Sequence, residues 1–228
     1  MPPTSTEHSR ALWKSDDAAE WRAALDAYDA RLAALNHPKL IALDAWFRNE
    51  LPSAVRSRDP PRLLARELVE LVDWKMTRGK IRPNLLNYAK AHAAKTVEDA
   101  SAAALRALDD VLAHKKPAAS ALESALAPLV ALKGIGPATA SAVLAAATED
   151  LPMMSDELIA VALPATSSSD TYSAARLVAL AKAARAKGLK TGLTAREVER
   201  AVYSAAAMTK KPKKDAAAVG KKRKAGAR

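Results

Sequence analysis

Leu132-Lys-Gly-Ile-Gly-Pro-Ala-Thr-Ala-Ser-Ala-Val-Leu144 is the stretch on which the reading of this chain turns. It holds two of the seven glycines, Gly134 and Gly136, and only five of the seven precede Thr209. Pro128 is expected to open a short helix through Leu132, and Gly134, Ile135 and Gly136 to form a tight hairpin. Pro137 then sits in the first turn of a second helix through Ala147. Glycine permits positive φ and lets another surface approach the backbone closely. The helix start that follows leaves backbone N–H groups free and adds the positive end of its dipole. Together these features suit a phosphate.

Composition frames that hairpin. Of the 228 residues, 55 are Ala, half are hydrophobic and only 4% are aromatic. Ala is the best helix former and a poor strand former, so an all-α chain is expected and an all-β fold is excluded. Cysteine is absent, which removes disulfides, thiol catalysis, iron–sulfur clusters and cysteine zinc sites. His8, His37, His92 and His114 lack ligand spacing, so neither a metal nor a cofactor is expected. The start, Met-Pro-Pro-Thr-Ser-Thr-Glu-His8, has no apolar signal-peptide core, and no run of apolar residues is long enough to span a membrane. A soluble intracellular monomer is the expectation.

Outward from the hairpin, the pattern predicts about ten helices. Residues 1–14 read as a flexible N-terminus. Helical spacing runs from Ser15 through Trp21, Leu25, Tyr28, Leu32 and Leu35, and again from Pro38 until Pro52 stops it. Asp59-Pro-Pro61 signals a helix through Leu63, Leu68, Leu71 and Met76 that Gly79 breaks. Pro83, Thr96 and Lys116-Pro117 open further helices. Ser169-Asp170 caps an Ala-rich helix that Gly188 closes, and Thr194 to Glu197 is a capping box for the last. The helical domain is thus expected over 15–208, with the hairpin unit at about 128–147.

Charge divides the chain differently. Lys and Arg total 36 against 25 acids, a net charge of +11. Nine basic residues and Asp215 follow Thr209, so the tail contributes +8 and the body +3. Residues 209–228 read as a disordered basic tail. Its clusters, Lys210 to Lys214 and Lys221 to Lys224, look like a bipartite nuclear-localisation signal for an import receptor. The nucleus is therefore the expected location, otherwise the cytoplasm.

Leu132, Gly134, Ile135, Gly136, Thr139-Ala140 and Val143-Leu144 together resemble the helix-hairpin-helix, which binds DNA through its sugar–phosphate backbone. The wider chain resembles the helix-hairpin-helix-GPD superfamily of DNA glycosylases, the enzymes of base-excision repair. That resemblance implies a helical glycosylase-like fold and a catalytic Asp about eighteen residues beyond the residue preceding Thr-Ala. Here that residue is Ala138 and the matching position is Asp156. Glycosidic-bond cleavage builds positive charge on the sugar, which a carboxylate stabilises while it orients or deprotonates water. A helix N-cap is the plainer role for Asp156.

The chain also departs from the family pattern. Bifunctional members carry a lyase Lys where Ala138 stands, so the implied enzyme is a monofunctional hydrolase; Lys133 does not replace that lysine. The Gln-rich wedge segment is replaced by Val72-Asp-Trp-Lys-Met-Thr-Arg-Gly-Lys-Ile-Arg-Pro83. With the hairpin, this segment resembles a eukaryotic group in the superfamily to which no reaction is attached. Trp74, Lys75, Arg78, Lys80 and Arg82 interleave an aromatic with cations, a pattern suited to phosphates and a stacked base; a buried Trp74 is the competing expectation. Lys133, Gly134, Ile135, Gly136 and Ala138 complete the expected DNA contacts. The alternative is a non-catalytic DNA-binding module on the same scaffold.

Overall fold

The computed structural model describes residues 5–113, 119–165 and 171–208. The protein is all-α, with thirteen α-helices and one π-helical turn among the described residues and no strand there. The basic tail with its two lysine clusters, the Lys116-Pro117 start and the Ser169-Asp170 cap lie outside the described residues. No described helix is long and apolar enough to cross a membrane.

The chain opens with α1 (Ser5–Lys14), α2 (Ala18–Asp26), α3 (Tyr28–Ala34) and α4 (Pro38–Ala45). Residues 5–14, expected to be flexible, are helical because α1 lays Leu12 into the core against the C-terminal helix. Asp17 caps α2 through Ala19 N–H, and His37 accepts from Leu40 N–H ahead of Pro38. Pro52 does not stop the chain's helical course. A π-helical turn, Trp46–Glu50, leads directly into α5 (Leu51–Arg56), with Leu51 N–H bonded to Trp46 C=O. The wider turn takes up the register change before a residue with no N–H to donate.

Next come α6 (Ala65–Arg78) and α7 (Pro83–Ala91). The former begins at Ala65 rather than at Pro60-Pro61, where Glu67 turns back to accept the Leu64 N–H at 2.9 Å. Gly79 ends it. Then follow α8 (Ala94–Ala113) and α9 (Ala119–Val130). Pro128 lies inside α9 instead of opening a new helix. Burial of Leu122, Ala125, Leu126 and Leu129 along one face carries the helix through it.

The second helix of the hairpin is α10 (Pro137–Ala147), buried on every side from Ala138 to Ala147. A helix apolar all round belongs in a core, and its small residues let α5, α6, α8, α9 and α12 approach it. The last three are α11 (Asp156–Ala162), α12 (Ala174–Thr191) and α13 (Ala195–Ala207). Ser173 caps α12, and Gly192, at φ +71°, ends it. Gly188 lies within that helix, where a Cβ would meet Leu193 C=O at 2.3 Å. The expected Thr194–Glu197 capping box is present on α13.

Candidate nucleic-acid interface

The Gly-Ile-Gly turn joins α9 to α10 through Ile135 N–H on Leu132 C=O at 2.9 Å. Its two glycines answer to different surroundings. Gly134 has φ +84°, and a Cβ there would lie 2.7 Å from Tyr88 of α7, so both backbone and packing demand glycine. Gly136 has ordinary extended angles, φ −88° and ψ 174°, and a Cβ there would meet nothing within 4 Å. Nothing inside the fold asks for glycine at 136, and no side chain caps α10 at that end. The sequence pattern did not identify α7 as the support of the turn. Lys133 Nζ lies 5.0 Å from the centre of the Tyr88 ring, and His92 Nε2 lies 3.0 Å from Lys133 C=O.

Asp156 follows the turn by one short, fixed path. Ser141 on α10 donates to Ala138 C=O and accepts from Met154 N–H, both at 3.0 Å. This buried hydroxyl fixes where the Met153–Ser155 segment leaves the core. Ser155, not Asp156, then caps α11 by accepting from Leu158 N–H, which leaves the Asp156 side chain for other work. It is 43% exposed and ion-paired to Lys80 at 3.8 Å. Tyr172 O–H donates to its Oδ1. Burial first, and then that hydrogen bond, push the Tyr172 phenol up to about 12.

A cavity of about 280 Å³ opens between these parts. Its walls combine Gly134, Gly136 and Ala138 of the turn, Lys75, Lys80 and Arg82 from the end of α6 and its loop, and Asp156 with Tyr172. Met153 and Met154 form part of its apolar floor. That volume is close to the lower end of small-ligand sites, about 300–1,000 Å³, a scale that matches one base or sugar.

The cations and aromatics of the α6 segment divide by depth. Lys80 and Arg82 are exposed. Lys75 is half-buried in the cavity wall. Burial pushes its ammonium pKa down, with Asp156 opposing and Arg82 and Arg78 adding to the depression. Trp74 and Arg78, expected at a DNA-facing surface, are interior instead. Trp74 is 1% exposed; it stacks on Phe47 at 3.7 Å between ring centres and donates to Asp44 at 3.0 Å. Asp44 also accepts from Tyr28 and Arg48.

Arg78 donates to Glu199 of α13 at 2.8 Å and lies 3.8 Å from the Tyr203 ring centre. Burial works against its charge, but Glu199 and the surrounding anionic oxygens win and raise its pKa. Its guanidinium reaches the cavity wall from beneath and is held in the core by Glu199 and, at 3.9 Å, by the Met153 sulfur. Ile135 is buried as well, so only its backbone belongs to the turn's surface.

The loop after α6 presents one residue the sequence pattern did not single out. Ile81 is 69% exposed between Lys80 and Arg82, the two residues of this loop that line the cavity. Among the described residues no cluster of three or more His, Asp or Glu side chains could hold a metal ion. No family model, no curated protein and no solved structure matches this chain.

Proposed function

We propose that this chain binds DNA and hydrolyses the N-glycosidic bond of a damaged or mispaired base, with Asp156 as the catalytic carboxylate. The observation that carries the reading is a single cavity shared by the uncapped Gly136 turn, the cations Lys75, Lys80 and Arg82, and Asp156. The turn receives a backbone phosphate through its N–H groups, and the open space ahead of Gly136 lets that phosphate approach. Lys80, Arg82 and Lys133 hold neighbouring phosphates. A base must leave the duplex stack to reach the cavity. Ile81, exposed between two phosphate-binding cations, has the chemistry of an apolar wedge that occupies the vacated space.

Once the base is in the cavity, Asp156 faces the sugar. As the bond to the base lengthens, positive charge grows at C1′, and the carboxylate stabilises it and directs water to that carbon. Tyr172 orients the carboxylate through its hydrogen bond. The test is incubation with duplexes carrying uracil, alkylated purines, hypoxanthine or mispaired adenine, followed by alkali. Alkali-labile sites made by the wild type and lost in Asp156→Asn, with DNA binding kept, are expected.

A second reading is a non-catalytic DNA-binding module, and it draws on the partners Asp156 already has in Tyr172 and Lys80. Intact binding with no base released from any of those duplexes would select it. Loss of neither binding nor base release in Gly136→Val would reject the phosphate cradle in both readings.

A further inference from the structure

Val72, Lys75, Met76 and Gly79 stand three and four positions apart along the end of α6, and all four line the cavity, so one face of that helix forms its wall. Val72 and Met76 are buried apolar side chains. Lys75, half-buried beside them, interrupts the stripe with an ammonium. Among the described residues no acid pairs with it and no group accepts a hydrogen bond from it. Asp156 acts on it through charge alone and pairs instead with Lys80. A polar group desolvated without a partner costs stability, so packing gives no reason for an amine at this position. The space it faces does.

Depth sorts the cavity's groups against the parts of a nucleotide. Lys80 is 80% exposed, Asp156 43%, and Lys75 is half-buried above the apolar floor of Met153 and Met154. Phosphates are met at the first of these levels and the sugar at the second, which leaves the third for the base. Heterolysis of the C1′–N bond leaves its electron pair on the base. A neutral base becomes an anion, delocalised onto an exocyclic oxygen where the ring carries one, and a cation beside that oxygen stabilises it. A base alkylated to a cation departs neutral and gains nothing from such a group. Its charge would also meet Lys75, and among the described lining residues Tyr172 is the only aromatic that could stack on it.

We propose that Lys75 is the catalytic donor to the leaving base, and that the cavity takes a neutral base with an exocyclic oxygen. As the C1′–N bond breaks, charge gathers on that oxygen, which accepts a hydrogen bond and then a proton from Nζ. Water bonds to C1′ through its oxygen and gives its proton to Asp156. The released base tautomerises to its lactam form, and the proton on Asp156 returns to the amine through solvent. No oxidant or reductant takes part. Burial, Arg82 and Arg78 make this ammonium a readier acid than an ordinary lysine, with Asp156 opposing. The role rests on the reading of the cavity as a site of glycosidic-bond hydrolysis.

The test uses the full-length chain and single-turnover release from duplexes carrying uracil, hypoxanthine, a cationic alkylated purine or mispaired adenine, read as alkali-labile sites. The wild type is expected to release uracil, hypoxanthine or both. Lys75→Ala should slow that release about 100-fold, as removal of a positioned acid does. Lys75→Met, which refills the space without a donor, should be as slow. Thermal unfolding and duplex binding by fluorescence anisotropy show that both variants are folded and competent. Propylammonium replaces the atoms that Lys75→Ala removes, and should restore release in a saturable manner where sodium at equal ionic strength does not. A lysine that served packing alone would show no such rescue. Either variant as active as the wild type, or a rate that propylammonium leaves unchanged, overturns the proposal. So does release confined to the alkylated purine or to adenine. Each of these results leaves the glycosylase reading standing. Duplex binding with no base released from any substrate removes that reading and this role together.

Discussion

Replacing Glu199 with Leu isolates what anchors the cavity from below. The Arg78–Glu199 pair spans 2.8 Å, and each side chain is 5% exposed. Arg78 is the last residue of α6, immediately before the loop that bears Lys80, Ile81 and Arg82. Glu199→Leu removes the carboxylate and leaves a buried guanidinium facing the Tyr203 and Trp74 rings. Breaking a buried pair from one side costs about 3–5 kcal/mol, out of a total domain stability of about 5–15 kcal/mol. For a chain of this size each kcal/mol lowers Tm by about 2–4 °C, so a fall of roughly 6–20 °C is expected.

Arg78→Met with Glu199→Leu removes both charges and refills the space with apolar groups. Such replacement is often neutral or stabilising, so the double variant should regain most of the loss. Urea and thermal unfolding of the wild type, both singles and the double close the cycle. The double variant should also bind DNA more weakly than the wild type, because the loop is no longer fastened to α13. A single variant within about 1 kcal/mol of the wild type, or a double no more stable than Glu199→Leu, would refute the account of a pinned loop.

Gly134→Ala and Gly136→Val should separate the two glycines of the turn. The first forces a side chain into positive φ against Tyr88, and costs about 1–3 kcal/mol of stability by urea unfolding. The second meets open space, should leave stability within about 0.5 kcal/mol, and should weaken DNA binding; the reverse pattern would sink the assignment. Ile81→Gly should slow base release from a fully paired duplex more than from a mismatch, measured as single-turnover rates, because a wedge matters most where unstacking is hardest. Lys75 gives a pH signature. Its folded pKa is depressed below the ordinary 10.5 by burial, Arg82 and Arg78 against Asp156. Between the folded value and 10.5 the unfolded chain therefore holds the extra proton, and stability rises with pH across that window. Lys75→Met should be more stable than the wild type at neutral pH, and should flatten that rise when urea unfolding is followed from neutral to alkaline pH.

What the sequence disclosed, it disclosed through local chemistry. The Gly-Ile-Gly turn, the Thr194–Glu197 box and the break at Gly79 each depend on residues within a few positions of one another, and each is present. The cavity itself joins the α6 end and the turn, which pattern had marked, with Asp156, which the family resemblance implied. What remained hidden depends on distant partners. Trp74 and Arg78 look the same in sequence as Lys80 and Arg82, cations and an aromatic around Gly79. Their burial is determined by Asp44, 30 positions before Trp74, and by Glu199, 121 positions after Arg78. Pro52 and Pro128 misled for a related reason. Each is a breaker by intrinsic preference, yet a π-turn absorbs one and a buried leucine face carries the other.

The same division by depth changes what the chain's charge can mean. A net +11 first points to an acidic partner, but +8 of it belongs to residues 210–228. Within the body, many cations are already spent on acids of the same chain: Arg48 on Asp44, Arg58 on Glu67, Arg78 on Glu199, Arg196 on Glu149, and Lys187 on Asp16. Such pairs fasten helices to one another and add little to the field outside. Lys133 of the turn and Lys80 and Arg82 of the cavity, by contrast, are exposed, and an acid lies against them, Asp156, 3.8 Å from Lys80. A body of only +3 can therefore still present a local positive site, because many of its other cations are paired with acids. The case for a phosphate-bearing partner thus depends on where exposed cations gather, and that place also has an uncapped helix start, an open approach at Gly136 and a carboxylate beside Lys80.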